Sequence, residues 1–192
     1  MNSTLVIGLA TALIVALIIV AIIVWRRRGR AAGIQSALNS IAVAALRDVL
    51  IPNGMGGQIY IEYLVLTSRG IVVFDVKDFV GAVFASDRMQ EWTVIGEGRR
   101  FGFPNPQGTL FDRVAAIRQV VSSVPVEGHI LFSSQADFSK GRPKNVLLSS
   151  ELEKRFSKPT KDDRERLSDA YAPYWAKLKA VSEPADSVTP AK

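Results

Sequence analysis

The chain has 192 residues, a net charge of +6, a single histidine and no cysteine. Without cysteine, disulfides, thiolate zinc sites and a cysteine nucleophile are excluded, and one histidine cannot supply a His-rich metal site. Four of the positive charges belong to Arg26, Arg27, Arg28 and Arg30. The net charge of everything after Arg30 is therefore only +2, so that part of the chain is not broadly basic. The length allows one domain with a substantial core.

The N-terminal segment has the most pronounced pattern. Residues 5–25 are all apolar or small, and about 20 helical residues span the ~30 Å hydrocarbon core of a bilayer. The sequence therefore predicts a single transmembrane anchor with a basic stop segment over residues 1–30. Because the basic block follows the apolar run, the positive-inside bias predicts an outer N-terminus and a cytoplasmic C-terminal domain at the cell membrane. Contact with anionic lipid headgroups is expected at Arg26, Arg27, Arg28 and Arg30.

A cleaved signal peptide is the alternative interpretation of this segment. Such a peptide has its basic residues before a shorter apolar core and ends in a small-residue cleavage site. Here the basic block comes after the apolar run, and Trp25 occupies the place of an interfacial aromatic residue. The order of these features favours an uncleaved anchor.

The middle of the chain predicts a strand-rich domain. Apolar spacing predicts a short amphipathic helix over residues 34–46, and a Gly-rich turn follows at 52–57. Residues 58–67 and 70–79 are rich in β-branched and aromatic side chains and predict a hairpin. Residues 81–85 and 91–95 are expected to continue the same sheet, with a short strand at about 99–101.

The second half predicts helices interspersed with short strands. A helix is expected over 109–121, strands over 129–132 and 145–148, and a capping box at Ser150 and Glu153 before another helix. Residues 162–181 are expected to be helical in parts, with a kink at Pro173. The tail from 182 to 192 is expected to be disordered. The apolar stripe of the 162–181 segment comprises Leu167, Tyr171, Tyr174 and Leu178.

The candidate site lies on the predicted hairpin. If Leu66 and Ile71 flank its turn, Glu62 lies opposite Asp75 with Cβ atoms about 5 Å apart, and alternation places Lys77 on the same face. Like charges directly opposite one another destabilise a sheet, so a cation is expected to offset them, either Lys77 or a bound Mg²⁺ or Mn²⁺. The alternative is that Glu62, Asp75 and Lys77 are ordinary surface charges on an exposed sheet face, without a catalytic role.

The residues around this hairpin resemble those of the NERD, or nuclease-related, domain. The resemblance covers about residues 32–156 and includes residues 60–84, the EWT at 91–93, the Asn-Pro at 105–106 and the GHILFSS at 128–134. It implies a relative of the PD-(D/E)xK nucleases, whose centre is an acidic residue on one strand and a (D/E)xK triplet on the next. Glu62 takes the first place, Asp75-Val76-Lys77 the second, and Gly81 matches the glycine after the lysine.

The sequence also departs from that family. The metal-bridging position is typically Asp, whereas here it is Glu62, and the first helix offers Gln35 where an acidic residue is usual. The family's glutamine after Asn-Pro falls at Thr109, with Gln107 two places early. These departures favour the alternative of a catalytically inactive module.

The sequence thus predicts an α/β protein with a restriction-endonuclease-like mixed sheet flanked by helices, preceded by a single transmembrane helix. The expected divisions are the anchor at 1–30, the NERD-like domain at 31–156, a charged extension at 157–181 and the tail. The expected function is phosphodiester hydrolysis of nucleic acid, with Mg²⁺ or Mn²⁺ held by Glu62 and Asp75 and assisted by Lys77. The alternatives are an inactive binding or scaffolding module at the membrane, and docking of a membrane partner by residues 162–181.

Overall fold

The computed structural model describes residues 3–96 and 98–185, without the side chains of residues 3–12 and 27. Over these residues the chain forms, in order, α1 (Ser3–Ile41), β1 (Ala44–Pro52), β2 (Gln58–Thr67), β3 (Gly70–Lys77), β4 (Gly81–Phe84), β5 (Glu91–Gly96), β6 (Arg99–Pro104), α2 (Gln107–Val120), β7 (Val126–Phe132), β8 (Ala136–Asp137), β9 (Val146–Leu148), a 3-10 turn (Ser149–Glu151), α3 (Leu152–Phe156), α4 (Lys161–Val181) and β10 (Glu183–Pro184).

The main sheet is mixed and has the strand order β10-β1-β2-β3-β7-β9. β1, β2 and β3 form an antiparallel meander, whereas β3, β7 and β9 run parallel. β3 is buried along almost its whole length because it has neighbours at both edges and is covered on both faces. The predicted α/β class with a mixed sheet and flanking helices is confirmed.

Helices cover both faces of this sheet. On one face, Leu38 of α1 and Phe156 of α3 pack with Phe74 and Leu131 of the sheet. On the other face, Leu110 and other residues of α2 join a larger core that also includes α4 and the smaller sheet. Successive β3 side chains alternate between the two faces, so Val73 and Asp75 both point toward the α2 side.

β4 and β5 do not continue the main sheet as predicted. Together with β6 and β8 they form a second sheet with the order β6-β5-β4-β8. The physical reason is that both edges of β3 are already occupied, by β2 and by β7, so no edge is left for β4. The chain therefore turns away after Lys77, and β4 pairs with β5 and β8 instead.

The prediction of a separate helix over 34–46 is wrong in two respects. The helix is continuous with the predicted transmembrane segment, and it ends before residue 46. α1 runs without interruption to Ile41, and β1 begins at Ala44. The run of small apolar residues there is compatible with either state. Pairing with β2, with Leu46 opposite Leu64 and Ile51 opposite Ile59, makes it a strand.

Three further elements differ from the prediction. Glu151, rather than Glu153, accepts the backbone N–H of Leu148, at 2.9 Å, at the start of the 3-10 turn. α4 continues through Pro173 without interruption from Lys161 to Val181. Glu183 and Pro184, which belong to the predicted disordered tail, pair with β1 at the sheet edge. Residues 186–192 of that tail lie outside the described part.

The segment predicted to cross a membrane lies in α1. Its large apolar side chains from Leu13 to Trp25 are exposed. Among the described residues, no helix has the length and hydropathy needed to cross a bilayer. Residues 5–12 of the predicted span lie outside the part of the chain with described side chains.

Gly81 starts β4 in a conformation that favours glycine. Its φ is +107°, and a Cβ there would lie 2.4 Å from the carbonyl oxygen of Ile95 and 2.7 Å from Gly96 Cα. Both contacts are with backbone, which cannot move aside without breaking the β4–β5 pairing.

We predict that Gly81→Ala lowers the free energy of unfolding by about 2 kcal/mol or more, from backbone strain and the clash together. Gly108→Ala, where a Cβ meets nothing within 4 Å, is the matched control and should be neutral or slightly stabilising. Chemical denaturation measures both, and equal stability of the two variants would contradict the described path of the chain after Lys77.

Candidate active site

The predicted hairpin register is confirmed. Tyr63 pairs with Phe74 and Leu66 with Ile71, which makes Glu62 and Asp75 the next residues along the two strands. The carboxylate of Glu62 turns toward β3 and accepts the backbone N–H of Val76 through Oε2, at 2.9 Å. The antiparallel pairing of β2 and β3 therefore brings the two carboxylates together.

Asp75 is a buried carboxylate held between two cations. Its side chain is only 7% exposed, and its Oδ1 accepts a hydrogen bond of 2.8 Å from Lys77 Nζ. Its Oδ2 lies 3.3 Å from Nη1 of Arg113, which comes from α2 and is itself 14% exposed. A buried carboxylate without such partners would be strongly destabilising, and Lys77 and Arg113 supply them here.

Arg113 also connects the site to β2. Its Nε donates a 2.8 Å hydrogen bond to the carbonyl oxygen of Tyr60, so one guanidinium contacts both strands of the hairpin. The planar group has several donors in fixed directions, which suits such a double contact. The orientation of α2 over the site is thereby fixed at its second turn.

Glu62 has an unusual electrostatic environment. Burial raises the pKa of its carboxyl group, and the nearby charges of Asp75 and Asp48 raise it further, against the lowering effects of the Val76 N–H and of Lys77. Glu62 therefore takes up a proton more readily than an ordinary glutamate, and a bound cation would shift it back to the ionised form.

Asp48 is a third acidic residue near the site. It lies between Arg47 and Val49, which pair with Tyr63 and Ile61 on either side of Glu62, and its φ is +51°. The Tyr60 hydroxyl donates a hydrogen bond to its Oδ1. The pKa of that hydroxyl is raised, first by burial and then by this bond and the charge of Asp48. Three carboxylates thus follow one another across β1, β2 and β3.

The described residues contain no group of three or more acidic or histidine side chains arranged to hold a metal ion. Glu62 and Asp75 nevertheless present hard oxygen ligands at neighbouring positions. Mg²⁺ commonly uses only one or two carboxylates and completes its shell with water and substrate phosphate. The pair fits such an ion if Arg113 or Lys77 gives up its contact with Asp75.

The family comparison agrees with this geometry. The sequence model of the family described as NERD, nuclease-related domain, matches residues 31–133, which is more than half of the chain. The chain belongs to the NERD family. No curated protein and no solved structure matches it.

The matched residues of the NERD domain run from the second half of α1 to the start of the loop after β7. They include the whole Glu62, Asp75 and Lys77 cluster, together with Arg113. α3 and α4 lie outside the match but complete the two cores, since Phe156 is buried in one and Leu178 in the other.

Three other polar or aromatic residues of the matched region are buried and have structural contacts of their own. Gln107 is buried, and its side-chain amide donates to Asp87 at 2.7 Å, which fixes the turn before β5. Trp92 is fully buried, and its indole N–H donates to the carbonyl oxygen of Ser86, so it is a packing residue of the smaller sheet. His129 is buried, and burial lowers its pKa.

Arg113 and Asp48 are the two residues at the site that the sequence analysis missed. Arg113 is three residues after Leu110 and four before Ile117, both fully buried. A charged residue between two core positions on one helical face indicates a buried ionic partner, and this signal was readable in the sequence. Asp48 was hidden because β1 itself was not predicted.

Removing Arg113 should make Asp75 more accessible to metal. We predict that Arg113→Gln strengthens Mn²⁺ binding several-fold, because a cation no longer competes at Oδ2 of Asp75. It should also lower the free energy of unfolding by about 1 to 3 kcal/mol, because Asp75 loses one of its charge partners.

The matched control is Arg118→Gln on the same helix, which removes a 2.8 Å bond to the carbonyl oxygen of Val126 but leaves Asp75 unchanged. Calorimetric titration of the full chain with Mn²⁺ measures the affinity. Weaker binding in Arg113→Gln than in Arg118→Gln would show that Arg113 supports the metal site instead of competing for it.

Proposed function

We propose that this NERD domain hydrolyses phosphodiester bonds of nucleic acid. The observation that supports this most directly is the position of Glu62, whose Oε2 accepts the backbone N–H of Val76 next to the buried Asp75, with Lys77 Nζ at 2.8 Å from Asp75 Oδ1. These are the positions at which the resemblance to PD-(D/E)xK nucleases places the acidic residue and the (D/E)xK triplet. The family name supports nuclease chemistry in general, and the residue roles are our proposal.

Each side chain has a distinct part in the proposed reaction. Glu62 and Asp75 would hold Mg²⁺ or Mn²⁺, which on binding polarises a phosphoryl oxygen and lowers the pKa of a coordinated water. Lys77 is placed to stabilise the negative charge that develops on the phosphate. Arg113, released from Asp75, would contact the neighbouring phosphate oxygens in the bidentate manner typical of arginine.

A second candidate is a nucleic-acid or protein binding module without cleavage. It is favoured by the neutralisation of Asp75 by both Lys77 and Arg113, and by the raised pKa of Glu62. A site in that state is stable without metal. The two candidates differ in whether Mn²⁺ displaces the internal cations, and so in whether any substrate is cut.

Cleavage by the full chain distinguishes the two. With Mn²⁺ and mixed single- and double-stranded DNA and RNA substrates, we predict cleavage that Glu62→Gln and Lys77→Ala each reduce at least a hundredfold, because metal retention and charge stabilisation are each lost. Lys144→Ala, an exposed lysine far along the chain, is the control and should retain full activity.

Activity that survives both substitutions would contradict the assignment of the site. A complete lack of cleavage by a folded chain that still binds nucleic acid would favour the binding module. Removal of residues 162–181, a direct test of partner docking, is unsuitable because Trp175 and Leu178 of α4 are buried in the core.

We also propose that α1 attaches the domain to the cell membrane, with the catalytic domain on the cytoplasmic side and the N-terminus outside. The support is the uncharged run at residues 5–25, the exposure of its large apolar side chains from Leu13 to Trp25, and the basic block after it. Anionic lipid headgroups are the proposed partners of this block, whose members are Arg26, Arg27, Arg28 and Arg30.

Flotation of the full chain with zwitterionic liposomes tests the attachment. Leu17 lies in the middle of the apolar run and is 61% exposed. We predict that Leu17→Asp releases most of the protein, since a charged residue at the centre of an inserted helix costs about 2.5 to 3.5 kcal/mol. Leu17→Ala is the matched control and should still float. Equal flotation of the two variants would contradict insertion of α1.

A further inference from the structure

A cavity lies where α1 passes the smaller sheet. It has a volume of about 680 Å³ and lies between α1, the segment from Asp78 to Val80, and strand β6. Nothing in the proposed cleavage reaction uses it. Asp78 follows Lys77 directly, so the cavity adjoins the end of the strand that carries the catalytic triplet.

The charged lining of the cavity is mainly cationic. Arg26 and Arg30 of α1 face it from one side, and Arg99 of β6 from another. Among the described lining residues Asp78 is the acidic one, and its carboxylate lies 3.3 Å from Nε of Arg30. The described lining therefore has an excess of positive charge contributed by two separate elements, and an anionic group placed there would be attracted by both.

The remaining lining is apolar. Ile22 and Ile23 are 45% and 47% exposed on α1, and Phe101 of β6 is 41% exposed opposite them. The rings of Phe101 and Phe79 meet edge to face with centroids 5.0 Å apart, which makes a firm apolar wall. The apolar lining continues directly into the exposed apolar side chains of α1, the last of which is Trp25.

The apolar and the cationic parts of the lining follow one another along α1, as the acyl chain and the charged headgroup do in an anionic lipid. The isoleucines lie within about one helical turn of Arg26, so the apolar wall comes first and the guanidinium groups follow toward the domain. Interfacial arginine and tryptophan side chains commonly lie at headgroup level. A free phosphate or a nucleic-acid backbone would satisfy the arginines but leave Ile22, Ile23 and Phe101 uncovered.

We infer that this cavity binds an anionic phospholipid, with the headgroup phosphate between Arg26 and Arg99 and the upper part of an acyl chain against Ile22 and Phe101. The inference rests on the proposed attachment of α1 to the membrane and goes beyond it, because it assigns a defined lipid site built jointly by α1 and β6. Bound lipid would fix the orientation of the domain against the bilayer.

Native mass spectrometry of the full chain, released from nanodiscs with equal amounts of phosphatidylglycerol and phosphatidylcholine, tests the site. Arg99→Gln removes a lining charge, whereas Arg100→Gln removes the same charge from the neighbouring residue of β6, which does not line the cavity. We expect Arg99→Gln to lower the ratio of retained phosphatidylglycerol to phosphatidylcholine about fivefold, and Arg100→Gln to leave it unchanged. Phe101→Ser should lower retention of both lipids.

Four outcomes would overturn the inference. Equal effects of Arg99→Gln and Arg100→Gln would mean that only general surface charge attracts the lipid. Displacement of phosphatidylglycerol by a short oligonucleotide, or binding of inorganic phosphate that is insensitive to Phe101→Ser, would mean a phosphate site without an apolar ligand. If the protein floats with zwitterionic liposomes but shows no lipid preference in nanodiscs, the membrane attachment stands and the lipid site alone fails.

Discussion

The burial of Asp75 is the constraint on which the site and much of the fold depend. This residue sits on β3, the strand at which the antiparallel meander gives way to the parallel half of the sheet, opposite Ile130 of β7. At this depth its charge must be balanced, and the balance comes from Lys77 on the same strand and Arg113 on α2. Because Arg113 also holds the Tyr60 carbonyl, one charged group joins α2, β2 and β3.

Glu62 adds a second carboxylate to the ion pairs of Asp75, and this distinguishes the site from a purely structural one. A single buried aspartate with two cations would be a structural ion pair. The second carboxylate, with its raised pKa, adds negative charge that the protein alone does not fully stabilise in ionised form. A divalent cation would stabilise both carboxylates, and this is the physical link between the ion pair and the proposed reaction. The position of the site within the region matched by the NERD family is consistent with that link.

The sequence predicted the hairpin well because its register depends on local information. The turn length and the alternation of β2 and β3 fix which residues face one another, and these signals lie within about 20 residues. The second sheet, β1 and the contact of Arg113 with Asp75 depend on pairings between distant segments, which periodicity does not encode. The continuous α1 was divided in prediction because the arginines and glycines after Trp25 interrupt the apolar pattern, although the backbone continues helically to Ile41.

The proposed acidic site and the proposed lipid cavity involve two consecutive residues of the chain. Lys77 ends β3 on the side of the acidic site, and Asp78, the next residue, lines the cationic cavity beside α1. The proposed acidic site and the cavity beside α1 are therefore adjacent along the chain.

The claim that Glu62 and Asp75 form one electrostatically coupled pair is tested most directly by a carboxyl-carbon NMR titration of Glu62. We predict a pKa above the ordinary glutamate range in the native protein, and a lower pKa in Asp75→Asn, where the neighbouring negative charge is gone and Lys77 is freed to interact with Glu62. An ordinary pKa in the native protein, or one that Asp75→Asn leaves unchanged, would contradict the coupling and with it the basis for a shared metal site.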